Sequence, residues 1–121
     1  MQRFNFNYDK GNDDLFLFNG KSKSKGSIEL GSIILDFNNK MEIVGIQIMN
    51  ASKFIKDTIG EYSLQDINQI LNNLRECKID LKINSNMLFI KMYFISTSDK
   101  EISYSLVAPQ IKEQSPALAY N

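Results

Sequence analysis

The run GSIILDFNNKMEIVGIQIMNAS at residues 31 to 52 constrains the fold more than any other stretch of this chain. Ile33, Ile34 and Leu35 form an apolar run that ends at Asp36, and Asn38-Asn39-Lys40 reverses the chain. Val44, Ile46 and Ile48 then form a second apolar run, which ends at Asn50-Ala51-Ser52. Two apolar runs flanking a turn of Asn and Lys read as a β-hairpin. Val44, Ile46 and Ile48 fall on one face, and Met41 and Ile43 on the other. Gly45 breaks the pattern and marks a bulge or a close backbone approach.

The same period of two recurs along the chain. Phe4, Phe6 and Tyr8 alternate with Arg3, Asn5 and Asn7, which predicts a half-buried strand over residues 3 to 8. Asp9-Lys10-Gly11-Asn12-Asp13 is turn chemistry. Leu15-Phe16-Leu17-Phe18 is apolar on both faces and predicts a central strand, followed by the polar KSKSKG loop. Short strands are expected at 28 to 30 and 32 to 37. The spacing changes between residues 51 and 75. A short helix is expected at 51 to 59, with Phe54 and Ile55 inward. The main helix is predicted at about 63 to 75: Ser63 is a natural N-cap and Asp66 lies three residues on. Leu64, Ile67, Ile70, Leu71 and Leu74 follow helical spacing. Strands are then expected at 77 to 83, with Ile79, Leu81 and Ile83 inward, at 87 to 96, and at 101 to 107. Ser85-Asn86 and Ser98-Asp99 are the turns between them.

Short turns between consecutive strands require antiparallel pairing, because parallel neighbours need long crossovers. The expected class is α+β: a mostly antiparallel twisted sheet of about eight strands, with one main helix packed on one face. Residues 1–109 are expected to form a single domain, and residues 110–121 a loosely ordered tail.

Several functional classes are hard to build from these residues. The chain has 121 residues with no histidine, one cysteine, and 14 basic against 14 acidic side chains. Without histidine there is no Ser-His or Cys-His nucleophile and no zinc site of the Cys/His type. Neutral charge argues against strong non-specific binding to nucleic acid or a membrane surface. A lone Cys77 suits a reducing cytoplasm. No apolar run approaches the roughly 20 residues of a membrane helix, and a cytoplasmic location is expected.

Tyr8, Asp9, Asp13 and the Leu15-Phe16-Leu17 strand, then Ile34-Leu35-Asp36, Val44-Gly45-Ile46 and Ala51-Ser52, occur in an order that resembles the small YuzE-like proteins of domain of unknown function 2283. The resemblance covers residues 8 to 52. It implies no settled activity. Some members look like the small partner beside toxin-like proteins, so it implies an interaction module. Gln47 and Asn50 stand where relatives usually carry acids, and a role for those carboxylates is not carried over. Residues 60–109 then form a helix and three-strand extension beyond the usual family length.

Three constellations have chemical potential. Asp9, Asp13, Asp14 and Asp36 could converge to hold a hard cation, although the spacing does not match an EF-hand loop and turn chemistry explains these residues as well. Lys21, Lys23 and Lys25 could contact phosphate, or simply form a solvated loop that protects an edge strand. Phe4, Phe6, Tyr8, Phe16 and Phe18 could make a stacking platform, or simply supply core. The leading expectation is a non-enzymatic interaction protein, a homodimer or the partner of another small protein, with no cofactor. Nucleic-acid binding through the lysine loop is the alternative, and a metal-dependent hydrolase built on Asp9, Asp13 and Asp36 is the other.

Overall fold

A computed structural model of the chain describes residues 1–20 and 23–109. The alternating segments form eight strands: β1 (Gln2–Asp9), β2 (Asp14–Phe18), β3 (Gly26–Leu30), β4 (Ile33–Phe37), β5 (Ile43–Ile48), β6 (Leu74–Asn84), β7 (Met87–Ser96) and β8 (Glu101–Pro109). Helices α1 (Ala51–Ile59) and α2 (Leu64–Asn72) lie between β5 and β6. Every pairing is antiparallel, in the spatial order β3-β4-β5-β2-β1-β6-β7-β8. The class is therefore α+β, and the sheet is strongly curled into a half-barrel, beyond the plain twist expected.

β1 is where the sheet turns. Its first residues, Gln2 to Phe4, pair with β6, and its later ones, Asn5 to Asp9, pair with β2. The concave face carries the core: Phe4, Leu15, Leu17, Leu35, Ile46, Cys77, Ile79, Met92, Phe94 and Ile102 are all buried. Ile55 of α1 and Ile67, Ile70 and Leu71 of α2 close that core from above.

Three helix expectations need correction. Helix α1 is as long as α2, at nine residues each, so no single main helix covers the sheet. Helix α2 ends at Asn72, not 75. Asn73 leaves helical geometry and its side-chain amide donates to the Gln69 carbonyl at 2.8 Å, closing the last turn. Leu74 keeps the helical spacing but begins β6. Leu64, expected in the apolar stripe, is 46% exposed.

The bulge foreseen at Gly45 is present. Asp36 pairs with Gly45 and Phe37 with Ile43, so Val44 is the extra residue. The inserted residue turns Ile43 to the core beside Ile46 and Ile48, against the expectation that Ile43 faces away, and leaves Val44 outside the main core cluster. Leu81 and Ile83 share the parity of Ile79 but are 38% and 62% exposed, not buried. They sit toward the β6–β7 turn, beyond the reach of two nine-residue helices. The last strand runs two residues past the expected 107, to Pro109, which pairs opposite Met87. No helix among the described residues is long and apolar enough to cross a membrane. The tail expected at 110–121 lies outside the described residues.

Candidate functional site

The acids of the N-terminal half divide into three separate arrangements. In the β1–β2 turn, the Asp9 carboxylate accepts from the Asn12 side-chain amide at 2.8 Å and from the Gly11 and Asn12 N–H groups at 3.1 and 3.2 Å. These bonds, led by the Asn12 side chain, hold its carboxyl below the usual carboxylate range. They are the bonds of an Asx-type turn.

Asp13 follows in left-handed conformation, with φ of 56°. Its carboxylate accepts from the Tyr8 hydroxyl at 2.5 Å, from the Ser52 hydroxyl at 2.7 Å, and from the Ser52 N–H at 3.1 Å to each oxygen. Its main-chain carbonyl accepts the Ala51 N–H at 2.7 Å. Ala51 and Ser52 open α1, and Asn50 before them makes no side-chain cap. The first amides of a helix have no partner within it, and its N-terminus attracts negative charge. Asp13 therefore caps α1 from another part of the chain. Burial, and then the bond to Asp13, push the Tyr8 hydroxyl well above its ordinary range and keep it a donor. Ser52 is buried and donates to a carboxylate, with no imidazole in the chain to take its proton.

Asp36 lies elsewhere. It stands level with Gly45 and Phe18, at the far end of β2 from Asp14. Four residue steps along β2, about 13 Å, separate the two ends. The Ser27 hydroxyl donates to its carboxylate at 2.5 Å. A Cβ on Gly45 would lie 2.9 Å from Asp36 Oδ2, so any larger residue there must push the carboxylate aside where it crosses the bulge. Asp9 and Asp13 thus share a turn, and Asp36 does not join them. Among the described residues no three His, Cys, Asp or Glu side chains come close enough to hold a metal ion.

The other candidates also separate. Phe4 is buried in the core and Phe6 and Tyr8 pack against it, whereas Phe16 and Phe18 lie on the convex face beside Gln47 and Gly45. The five rings form no single platform. Lys23 and Lys25 are exposed, and Lys21 lies outside the described residues. The Cys77 thiol is buried, and burial aided by the charge of Glu76 pushes it up to about 12.

One feature escaped the sequence reading. At the open end of the half-barrel, away from the helices, a cavity of about 330 Å³ is bounded by Gln2, Met41, Ile43, Leu81, Ile83 and Leu88. Only the unexpected exposure of Leu81 and Ile83 marks it, and that depends on where the helices stop.

The fold and these contacts define a class: a curled antiparallel α+β domain whose N-terminal acids tie its turns and first helix together. Residues 5–52 match the family described as protein of unknown function DUF2283. An uncharacterised protein of Methanocaldococcus jannaschii is 33% identical over 102 residues, covering 83% of this chain and 81% of its own length. The chain belongs to the DUF2283 family. It is also similar to a Methanosarcina mazei protein provisionally named hypoxanthine phosphoribosyltransferase, 29% identical over 87 residues. That match covers 72% of this chain and 65% of the relative. No solved structure matches.

Proposed function

We propose that this chain is a non-catalytic interaction module that associates with a second copy of itself. The observation that carries the reading is apolar surface that the fold leaves uncovered. Leu81 and Ile83 are 38% and 62% exposed on the concave side of β6, and Phe89 and Val107 are 41% and 48% exposed on the convex side of β7 and β8. Large apolar side chains grouped in this way mark contact surfaces more often than isolated ones do. The engagement of Asp9, Asp13 and Asp36 in turn, cap and bulge supports a structural role for them in preference to a catalytic one.

Sedimentation equilibrium of the purified chain at high micromolar concentration tests this. A species of twice the 13.9 kDa chain mass is expected. A single species at the chain mass overturns self-association. The same preparation, given hypoxanthine, phosphoribosyl pyrophosphate and magnesium, is expected to form no nucleotide. Appearance of inosine monophosphate overturns the non-catalytic reading and favours the activity named for the Methanosarcina relative.

A further inference from the structure

Among the described residues the half-barrel does not close, and its two edges are β3 and β8. An edge strand presents unpaired N–H and C=O groups and is a template for pairing unless something blunts it. β3 is blunted. It has five residues, carries exposed Glu29, and follows exposed Lys23 and Lys25. β8 is blunted only at its two ends, by exposed Glu101, whose carbonyl accepts the Tyr62 hydroxyl at 3.3 Å, and by Pro109. It runs for nine residues, and from Ile102 to Ala108 it carries no charged side chain and no proline.

The direction of its free backbone groups follows from the ladder. The Ser96 N–H donates to the Lys100 carbonyl at 2.8 Å, one step beyond the Ile95–Glu101 pair. Hydrogen-bonded and non-bonded pairs alternate in an antiparallel ladder. Ile102, Tyr104, Leu106 and Ala108 therefore bond to β7, and the N–H and C=O groups of Ser103, Ser105 and Val107 point to the free edge. Pro109, which has no N–H, falls on the edge-facing set, where strands tolerate proline.

We propose that β8 pairs antiparallel with β8 of a second copy about a two-fold axis through Ser105, joining two half-barrels edge to edge. The register that pairs the whole strand sets Ser105 opposite its own copy, Ser103 opposite Val107, and Glu101 opposite Pro109. The edge-facing donors and acceptors of Ser103, Ser105 and Val107 all find partners. On the concave side Tyr104 meets Leu106, and Ile102 meets Ala108. No like charges face each other anywhere along the strand, and such a self-complementary patch is what a two-fold interface requires.

This inference rests on the self-association proposed above, and a charge-swap experiment separates the two. Ser105 is exposed and its N–H is not used by β7, so Ser105→Lys and Ser105→Glu should fold with unchanged circular dichroism and melting. Each alone sets like charges across the axis and is expected to raise the dimer Kd by about tenfold or more. An equimolar mixture is expected to restore a dimer containing one copy of each. If the native chain dimerises and both variants dimerise as well as it does, the β8 interface is wrong while self-association stands. If both are monomers and the mixture does not rescue, the axis through Ser105 is wrong. A native chain that never dimerises removes both.

Discussion

Asp13 and Ser52, 39 residues apart, meet through three hydrogen bonds of 2.7 to 3.1 Å, and the contact caps helix α1. With Tyr8 as a further donor, it ties the β1–β2 turn to the helix start.

Asp13→Ala should therefore cost more than an ordinary surface change. Losing a cap costs about 0.5–2 kcal/mol, and leaving a buried donor without its acceptor costs about 1–3 kcal/mol. A total loss of about 2–4 kcal/mol is expected in urea denaturation. Asp13→Asn keeps one acceptor oxygen and should fall between. A loss under about 0.5 kcal/mol for Asp13→Ala, the range of an unremarkable surface site, contradicts the cap.

Gly45 and Asp36 should behave as a coupled pair. Gly45→Ala forces the Asp36 carboxylate from its place and strains the bond to Ser27, at a cost of about 1–2 kcal/mol. In an Asp36→Ala background the same change should be nearly neutral. A double-mutant cycle measures this, and additivity within about 0.3 kcal/mol would sink the explanation.

Stability should fall in alkali. Tyr8, Tyr104 and Cys77 all have folded-state values raised, chiefly by burial, above ordinary values of 10.0, 10.0 and 9.0. The unfolded chain gives up these protons first, so stability is full below about pH 9 and declines as pH rises through 9 to 12. Tyr8→Phe should flatten part of the decline above pH 10. The native Cys77 thiol should be inert to a disulfide reagent at pH 8 and react on unfolding. Rapid native reaction would contradict its burial.

Truncation on α2 should separate core from surface. Ile70→Ala and Leu71→Ala each remove a side chain about 1% exposed and should cost about 2–5 kcal/mol, several degrees in Tm. Leu64→Ala, at a position 46% exposed, and Asn68→Ala or Asn72→Ala should change stability little. If Ile70→Ala leaves stability intact but abolishes association, α2 is an interface and not the cover of the core.

Much of this fold was legible in the chain because the signals are local. Alternation at Phe4, Phe6 and Tyr8 marks β1, and Ile33-Ile34-Leu35 with Val44, Ile46 and Ile48 marks the central hairpin. The start of α2 is equally local: Ser63 Oγ accepts the Asp66 N–H at 3.1 Å, three residues on. Ser85 and Asn86 both take positive φ, as a tight hairpin turn needs. Even the bulge at Gly45 showed as a break in period. The residues that resemble the family were legible too, but their purpose was not.

Tertiary structure decided the rest. Helical spacing continues through Leu74, yet α2 ends before it, where the Asn73 side chain closes the last turn and the Thr97 N–H donates to the Asn73 carbonyl at 2.8 Å, drawing Leu74 into the strand ladder. Leu81 and Ile83 carry the same inward parity as Ile79. Whether such a residue is covered depends on the length of the helices above it and on the curl of the sheet. Asp13 looks like a turn residue by itself. It becomes a helix cap because the curled sheet and the β5–α1 connection bring Ala51 and Ser52 to it. Period and turn chemistry are set within a few residues, so the chain by itself determined its strands, helix starts and turns. Capping between distant segments, burial and free edges depend on which segments meet, and only the folded half-barrel determined those.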